Sequence, residues 1–92
     1  MTNILITGSA GFIGFNLSKD LLNKKGYKII GIDNFNDYYD VNLKKRRNKI
    51  LKNFKNYKFF KIDINNKIKL KKIFQNNRID FVFHFAAQAG VR

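Results

Sequence analysis

Short apolar runs alternate along the chain with segments in which apolar residues recur every three or four positions. Asn3 to Thr7 reads as a buried strand, Lys28 to Ile32 as a second that ends at Asp33, and Tyr57 to Ile62 as a third. Asp80 to Phe85 is a nearly continuous apolar run, the pattern of a parallel strand covered on both faces. Between them, Phe12 to about Lys25 reads as a helix with Ile13, Leu17 and Leu21 at helical spacing, and Gly26 supplies its stop. Val41 to Phe54 places Leu43, Ile50, Leu51 and Phe54 on one stripe below a heavily basic outer face. Asn66 caps a third helix, from about Lys67 to Gln75, that buries Leu70, Ile73 and Phe74.

The predicted order is therefore βαβαβαβ, with no proline, repeat or linker to interrupt it. Right-handed crossovers between parallel strands leave few arrangements, and the natural one is a Rossmann-type doubly wound α/β sheet of strand order 3-2-1-4. The sheet is expected to be incomplete. Arg92 follows closely on the fourth strand, which leaves that strand a bare outer edge and part of one sheet face without covering helices. Residues 1–92 are thus expected to be the N-terminal part of a larger domain, poorly soluble alone.

Composition alters this picture little. One domain at most fits in 92 residues. The absence of cysteine excludes disulfides and thiolate metal sites and fits a cytoplasmic location. No apolar stretch is long enough to cross a bilayer, and the N-terminus lacks the basic region of a signal peptide. The net charge of +13 is unusual: nineteen Lys and Arg face six Asp and no Glu, and thirteen of the nineteen lie between Lys44 and Lys72. Such a patch attracts polyanions, but compositional drift toward Lys, Asn, Ile, Phe and Tyr is the favoured account of the lysines, though not of the missing Glu. Nucleic acid and membrane are not expected partners.

The chemistry concentrates in "TGSAGFIG", residues 7–14, between the first strand and the first helix. Gly8 can make the tight turn, Gly11 lets the backbone approach a pyrophosphate, and Gly14 lets the helix pack close to the strand. The free N–H groups and positive dipole end of that helix then face the phosphates. An ordinary glycine turn is the alternative. Asp33 changes the balance: it ends the second strand 19 residues after Gly14, near the spacing of an acid that binds a ribose 2′-OH. A carboxylate there accepts hydrogen bonds from the ribose hydroxyls and repels a 2′-phosphate, favouring NAD over NADP on charge and geometry together. Asp33 capping the following loop is the competing reading.

Tyr57 and Lys61 match the Tyr-x-x-x-Lys spacing of short-chain dehydrogenases, in which the lysine tunes a proton-transferring phenol. On a helix such a pair lies about 6 Å apart along the axis; in a strand it is about 13 Å apart. Both residues fall in the third strand, so this match is rejected. His84, the only histidine, is read as a structural core residue. Asp63 lies just past the third strand, at the sheet edge where ligands bind. It either reaches the adenine end of a cofactor or caps the next helix. No cluster has metal-ligand spacing.

Four segments together, "ITGSAGFIG", "GIDNFNDYYDVNLKKRR", "KIDI" and "HFAAQAGVR", resemble the N-terminal part of extended short-chain dehydrogenases that epimerise nucleotide sugars. Asn36-Asp37-Tyr38-Tyr39-Asp40, Leu43-Lys44 and Gln88 to Arg92 are most similar to the UDP-glucuronate 4-epimerase branch. UDP-galactose 4-epimerases are similar overall but usually carry lysine at the position of Ala89. The resemblance covers the whole chain but only the NAD-binding part of the family's catalytic chain. It implies that Gly8, Gly11, Phe12 and Ile13 line the NAD pyrophosphate through backbone groups, with Gly14 completing the glycine triad. Asp33 and Asn34 would hold the adenosine ribose, Asp63 and Ile64 flank the adenine, and Phe85, Ala86 and Ala87 run beside the cofactor's middle. Arg92 would face the acidic groups of a UDP-sugar substrate. Tyr38 and Tyr39 are read as loop packing. The implied reaction oxidises the sugar at C4 to a ketone and returns hydride to the opposite face, restoring NAD in each turnover. Its Ser/Thr and helical Tyr-x-x-x-Lys are absent here, so no catalytic residue is expected in these residues; the parent enzyme is expected to be a homodimer. Another NAD-dependent sugar-nucleotide epimerase or dehydratase, or a non-catalytic nucleotide-binding module, remain the alternatives.

Overall fold

A computed structural model describes residues 1–35 and 41–85. The strands are β1 (Thr2–Thr7), β2 (Tyr27–Asp33), β3 (Tyr57–Lys61) and β4 (Phe81–His84), and the helices are α1 (Phe12–Leu22), α2 (Val41–Leu51) and α3 (Lys67–Asn76). The four strands form one parallel sheet in the order β3-β2-β1-β4. This is the expected arrangement, and element bounds differ from expectation by no more than three residues. Asn66 caps α3 as its sequence suggested, its Oδ1 accepting from the Lys69 amide at 3.2 Å.

Side-chain alternation in the central strands feeds two cores. Ile4, Ile6 and Ile29 point to one face, where Leu22 and Leu51 close over them with Phe15, Leu17 and Tyr57. Leu5, Ile30 and Ile32 point to the other, packed by Ile73 with Leu70, Ile62 and Ile64. The central pair β1 and β2 is therefore covered on both sides.

Expectations about burial fail in α1, α2, α3 and β4. In α1 the residues facing the sheet are Gly14, Ser18 and Leu22, whereas Ile13 is 60% exposed. Small residues bring this helix close to the strand, and the larger apolar ones lie along the flanks. In α2 the buried residues are Lys44, Asn48 and Leu51, spaced one and two turns apart, while Leu43 and Ile50 are exposed. Polar partners beneath the helix, described below, determine which side faces inward. In α3 Ile73 is buried but Phe74 is exposed. β4 is not covered on both faces: all four of its residues are exposed, as befits an edge strand over which no described helix lies. Consequently His84 is not a core residue.

Candidate functional site

Register brings the candidate residues to one edge of the sheet. Thr7 pairs with Ile32 on one side and His84 on the other, and Asp33 pairs with Lys61. The carboxyl ends of all four strands are thus level, and the glycine turn, Asp33, Asp63 and Phe85 follow directly from them.

The turn from β1 into α1 depends on its glycines. Gly8 has φ of +72°, a left-handed conformation that glycine adopts without strain. Its N–H donates to the Ile32 carbonyl at 2.7 Å, and its own carbonyl accepts from the Gly11 N–H at 3.0 Å. A methyl group on Gly14 would overlap the Gly8 carbonyl oxygen, so the close helix–strand approach needs hydrogen there. Helix α1 then begins with Gly11 as its N-cap, without a side-chain cap and without an acid in its first turn. The N–H groups of Phe12, Ile13 and Gly14 have no carbonyl one turn back within the helix. Their positive end is open to an anion, with the Phe12 and Ile13 side chains largely exposed beside it.

Asp33 anchors this turn and also the next loop. Its Oδ2 accepts from the Ala10 N–H at 3.0 Å, and its Oδ1 accepts from the Phe35 N–H at 2.8 Å. Lys44 from α2 places its ammonium 3.7 Å from Oδ1, with the two side chains 8% and 3% exposed. The loop-capping reading of Asp33 is therefore realised, alongside a direct hold on the glycine turn. Lys44 thus places a cation beside the carboxylate that ends β2. Arg47, nearly one turn further along α2, donates from Nη1 to the Ala10 carbonyl at 3.2 Å and lies about 6 Å from the Phe12 and Phe15 ring centres.

A second buried polar group supports the turn from below. The Tyr57 hydroxyl donates to Asn48 Oδ1 at 2.9 Å and lies 3.3 Å from Ser9 Oγ. It fits because position 31 is glycine; a Cβ there would crowd both the Tyr57 hydroxyl and Ser9 Oγ. Burial pushes the Tyr57 phenol above its ordinary ionisation, the Ser9 hydrogen bond pulls the other way, and the Asp33 charge adds to the rise. A phenol so held stays protonated near neutrality. Lys61, meanwhile, lies over the Phe35 ring at 5.7 Å. Tyr57 and Lys61 both lie in β3, as expected, and not on a helix.

The remaining candidates are more loosely placed. Asp63 is exposed; its Oδ1 accepts from the Asn65 N–H at 2.8 Å and its carbonyl from the Asn66 N–H at 2.9 Å, so it shapes the turn before α3. Ile64 packs partly into the second core, and Asn34 is exposed next to Asp33. Thr7 Oγ1 lies 2.7 Å from His84 Nδ1 and accepts from the Phe85 N–H at 3.0 Å, tying the end of β4 to β1. Ala86, Ala87 and Arg92 lie outside the described residues, as do Asn36–Asp40 and Gln88–Val91. Sequence reasoning missed Lys44, Arg47, Asn48, Ser9 and Tyr57 as parts of this site. A signal for two of them was present: Lys44 and Asn48, together with Leu51, follow i, i+4, i+7 spacing once polar residues are admitted to a buried stripe. Among the described residues no group of acids and histidine could hold a metal, and no helix is long and apolar enough to cross a membrane.

A glycine turn feeding an uncapped helix, with an acid at the end of the next strand, defines a nucleotide-binding half of a doubly wound α/β protein. The chain belongs to the GDP-mannose 4,6 dehydratase family, whose profile matches residues 5–92. It is 54% identical over 91 residues to the uncharacterized protein MJ1055 of Methanocaldococcus jannaschii, covering 98% of this chain and 28% of that protein. It is 51% identical over 88 residues to a UDP-glucuronate 4-epimerase of Thermodesulfobacterium geofontis, covering 96% of this chain and 27% of the enzyme. The crystal structure of UDP-glucuronic acid 4-epimerase from Bacillus cereus with UDP-glucuronic acid and NAD superposes with a TM-score of 0.86 at 40% identity, over 99% of this chain and 28% of that one. The chain therefore spans little more than a quarter of the length of these proteins.

Proposed function

We propose that these residues form the NAD-binding part of a nucleotide-sugar 4-epimerase that interconverts UDP-glucuronate and UDP-galacturonate through a 4-keto sugar. The observation that carries this reading is the junction of the Gly8–Gly14 turn, the uncapped start of α1 and Asp33 at one sheet edge. The site fits the dinucleotide: a methyl at Gly14 would break the cradle, and the first helical amides face outward from it. When bound, NAD supplies a reversible hydride acceptor for C4 of the sugar.

The chain's own residues bind and orient. Gly8, Gly11, Phe12, Ile13 and Gly14 offer the pyrophosphate backbone N–H groups and close approach. Asp33, which already accepts from two amides, uses remaining lone pairs for the ribose hydroxyls, with Asn34 beside it. Asp63 and Ile64 border the adenine, and Phe85, Ala86 and Ala87 follow the cofactor toward the nicotinamide. Arg92 meets the acidic part of the UDP-sugar. The proton-transferring Ser/Thr and Tyr-x-x-x-Lys belong to residues outside this chain. The likeness to enzymes of this activity and the "NDYYD" and "QAGVR" segments support UDP-glucuronate over UDP-galactose. A cytoplasmic homodimer is the corresponding whole protein; the absence of cysteine fits a reducing compartment.

The test is to express the full-length protein, measure its NAD content, and follow UDP-glucuronate and UDP-galactose by NMR. Conversion of UDP-glucuronate to its C4 epimer is expected. Asp33→Ala should weaken NAD binding by on the order of 1.5–3 kcal/mol, the value of a charge-assisted hydrogen bond. Retained NAD with no epimerisation of either sugar would sink the epimerase assignment, whereas unaltered NAD affinity in Asp33→Ala would remove Asp33 from the site.

A further inference from the structure

The chain leaves β2 through a residue in an unfavourable conformation. Phe35 has φ of +54°, and among the described residues it is the one non-glycine residue with a positive value. For a bulky side chain the left-handed region is a genuine outlier, kept only where the surrounding contacts outweigh it. Two such contacts are present. The Phe35 N–H donates to Asp33 Oδ1 at 2.8 Å, and its ring stacks on Phe59 of β3, the centroids 5.3 Å apart and the planes 23° from parallel. Lys61, which pairs with Asp33 in the strand register, lies over the same Phe35 ring at 5.7 Å. Phe59 is fixed in its turn: it stacks on Tyr57 at 6.4 Å, and Lys52, just past α2, lies over it at 5.7 Å. Tyr57, Phe59 and Lys61 are alternate residues of β3, so they share one sheet face with Asp33. A column of rings, Tyr57, Phe59 and Phe35, thus runs along β3 and ends at the residue whose amide holds the carboxylate.

Resting on the NAD reading above, we infer that Phe35 is a positioning residue of the ribose subsite, with Phe59 as its anchor. Ring stacking offsets the unfavourable backbone of Phe35, and the left-handed turn presents its N–H to Oδ1. That bond, together with the Ala10 N–H on Oδ2, leaves the Asp33 carboxylate a single orientation. A carboxylate held at both oxygens aims its remaining lone pairs in fixed directions, so the ribose hydroxyls meet a preorganised acceptor. Phe35 acts through Asp33 and needs no contact of its own with the dinucleotide.

The experiment titrates NAD into cofactor-stripped full-length protein and reads the dissociation constant, with urea unfolding followed on each variant. Phe35→Ala keeps the amide and loses the ring; NAD binding should weaken roughly five- to tenfold, part of the contribution of the charge-assisted bond no longer oriented. Phe59→Leu removes the anchor and should weaken binding about threefold or more, while Phe35→Ala/Phe59→Leu should bind no worse than Phe35→Ala alone. Phe35→Tyr keeps the ring and should bind as the wild type does. In an Asp33→Ala background, Phe35→Ala should change NAD affinity by less than about twofold, because no carboxylate is left to position. A merely structural role weakens NAD binding by the same factor with or without Asp33, which overturns the inference; so does a Phe35→Ala variant that binds NAD like the wild type. If Phe35→Ala does not fold, Phe35→Leu takes its place in both backgrounds. Wild-type protein that binds no NAD overturns the NAD reading itself; wild-type protein that binds NAD, with an affinity indifferent to Phe35, overturns only the positioning role.

Discussion

Tyr57→Phe removes one oxygen atom from the protein and keeps the ring, which stacks on Phe59 at 6.4 Å. Lost with that oxygen are the 2.9 Å hydrogen bond to Asn48 and the longer 3.3 Å contact with Ser9. Ser9 is fully buried and Asn48 is 5% exposed, so water does not readily replace the hydroxyl for either. An orphaned buried polar group costs about 1–3 kcal/mol, and with the Ser9 contact weak, about 2 kcal/mol is expected in all. Urea unfolding of the full-length protein near neutral pH measures it. The alkaline branch gives an independent check. Burial raises the folded phenol above its ordinary value of 10.0, so the unfolded chain releases this proton first. The resulting stability is complete below about pH 10 and declines as pH rises toward the folded value. Phenylalanine has no such step, so the gap between wild type and variant should narrow above about pH 10. A difference below about 0.5 kcal/mol, or a gap constant to about pH 11, would refute the claim that this hydroxyl is a buried, satisfied strut.

Gly14→Ala should separate α1 from β1, because the new methyl meets the Gly8 carbonyl oxygen; about 1–3 kcal/mol of stability is expected to go, as in other overpacked sites. NAD retention on purification should drop at the same time, and a variant that keeps both would show that the close approach is dispensable. Asn66→Ala removes the cap of α3, whose Oδ1 accepts from Lys69. A loss of about 1 kcal/mol in urea unfolding is expected, with no change in dinucleotide affinity, since α3 packs against the sheet away from the glycine turn.

The fold was legible because its information is repetitive. Alternating apolar periods, a glycine triad and Asn66 each marked an element independently, and parallel connectivity left one economical strand order. Gly8, Gly14 and Asp33 were legible as a site because each is demanded by local geometry. The support of that site was not. A search for large apolar residues at helical spacing selects Ile13 in α1 and Leu43 and Ile50 in α2, yet the sheet-facing residues are Gly14, Ser18, Lys44 and Asn48. Close approach rewards small side chains, and a buried acid and phenol reward polar partners, so hydrophobicity points to the wrong face where the site is built. The pairings of Tyr57 with Ser9, 48 residues away, and of Ala10 with Asp33, 23 residues away, have no local signature. β4 misled for the opposite reason: a strand's composition records what covers it in the whole protein, and no described helix covers it here.

The polar underside of α2 also bears on how such a protein can be altered. Turning that helix by one residue would withdraw Lys44 from Asp33 and Asn48 from Tyr57, leaving the carboxylate to its amide donors and the phenol to Ser9. Its rotational setting is therefore fixed by charge and hydrogen bonding more than by oily contact. Attempts to raise heat resistance by greasing this face would gain packing and lose orientation. Conversely, drift at Lys44, Asn48 or Tyr57 would loosen the support beneath the turn while every glycine of the turn stayed in place.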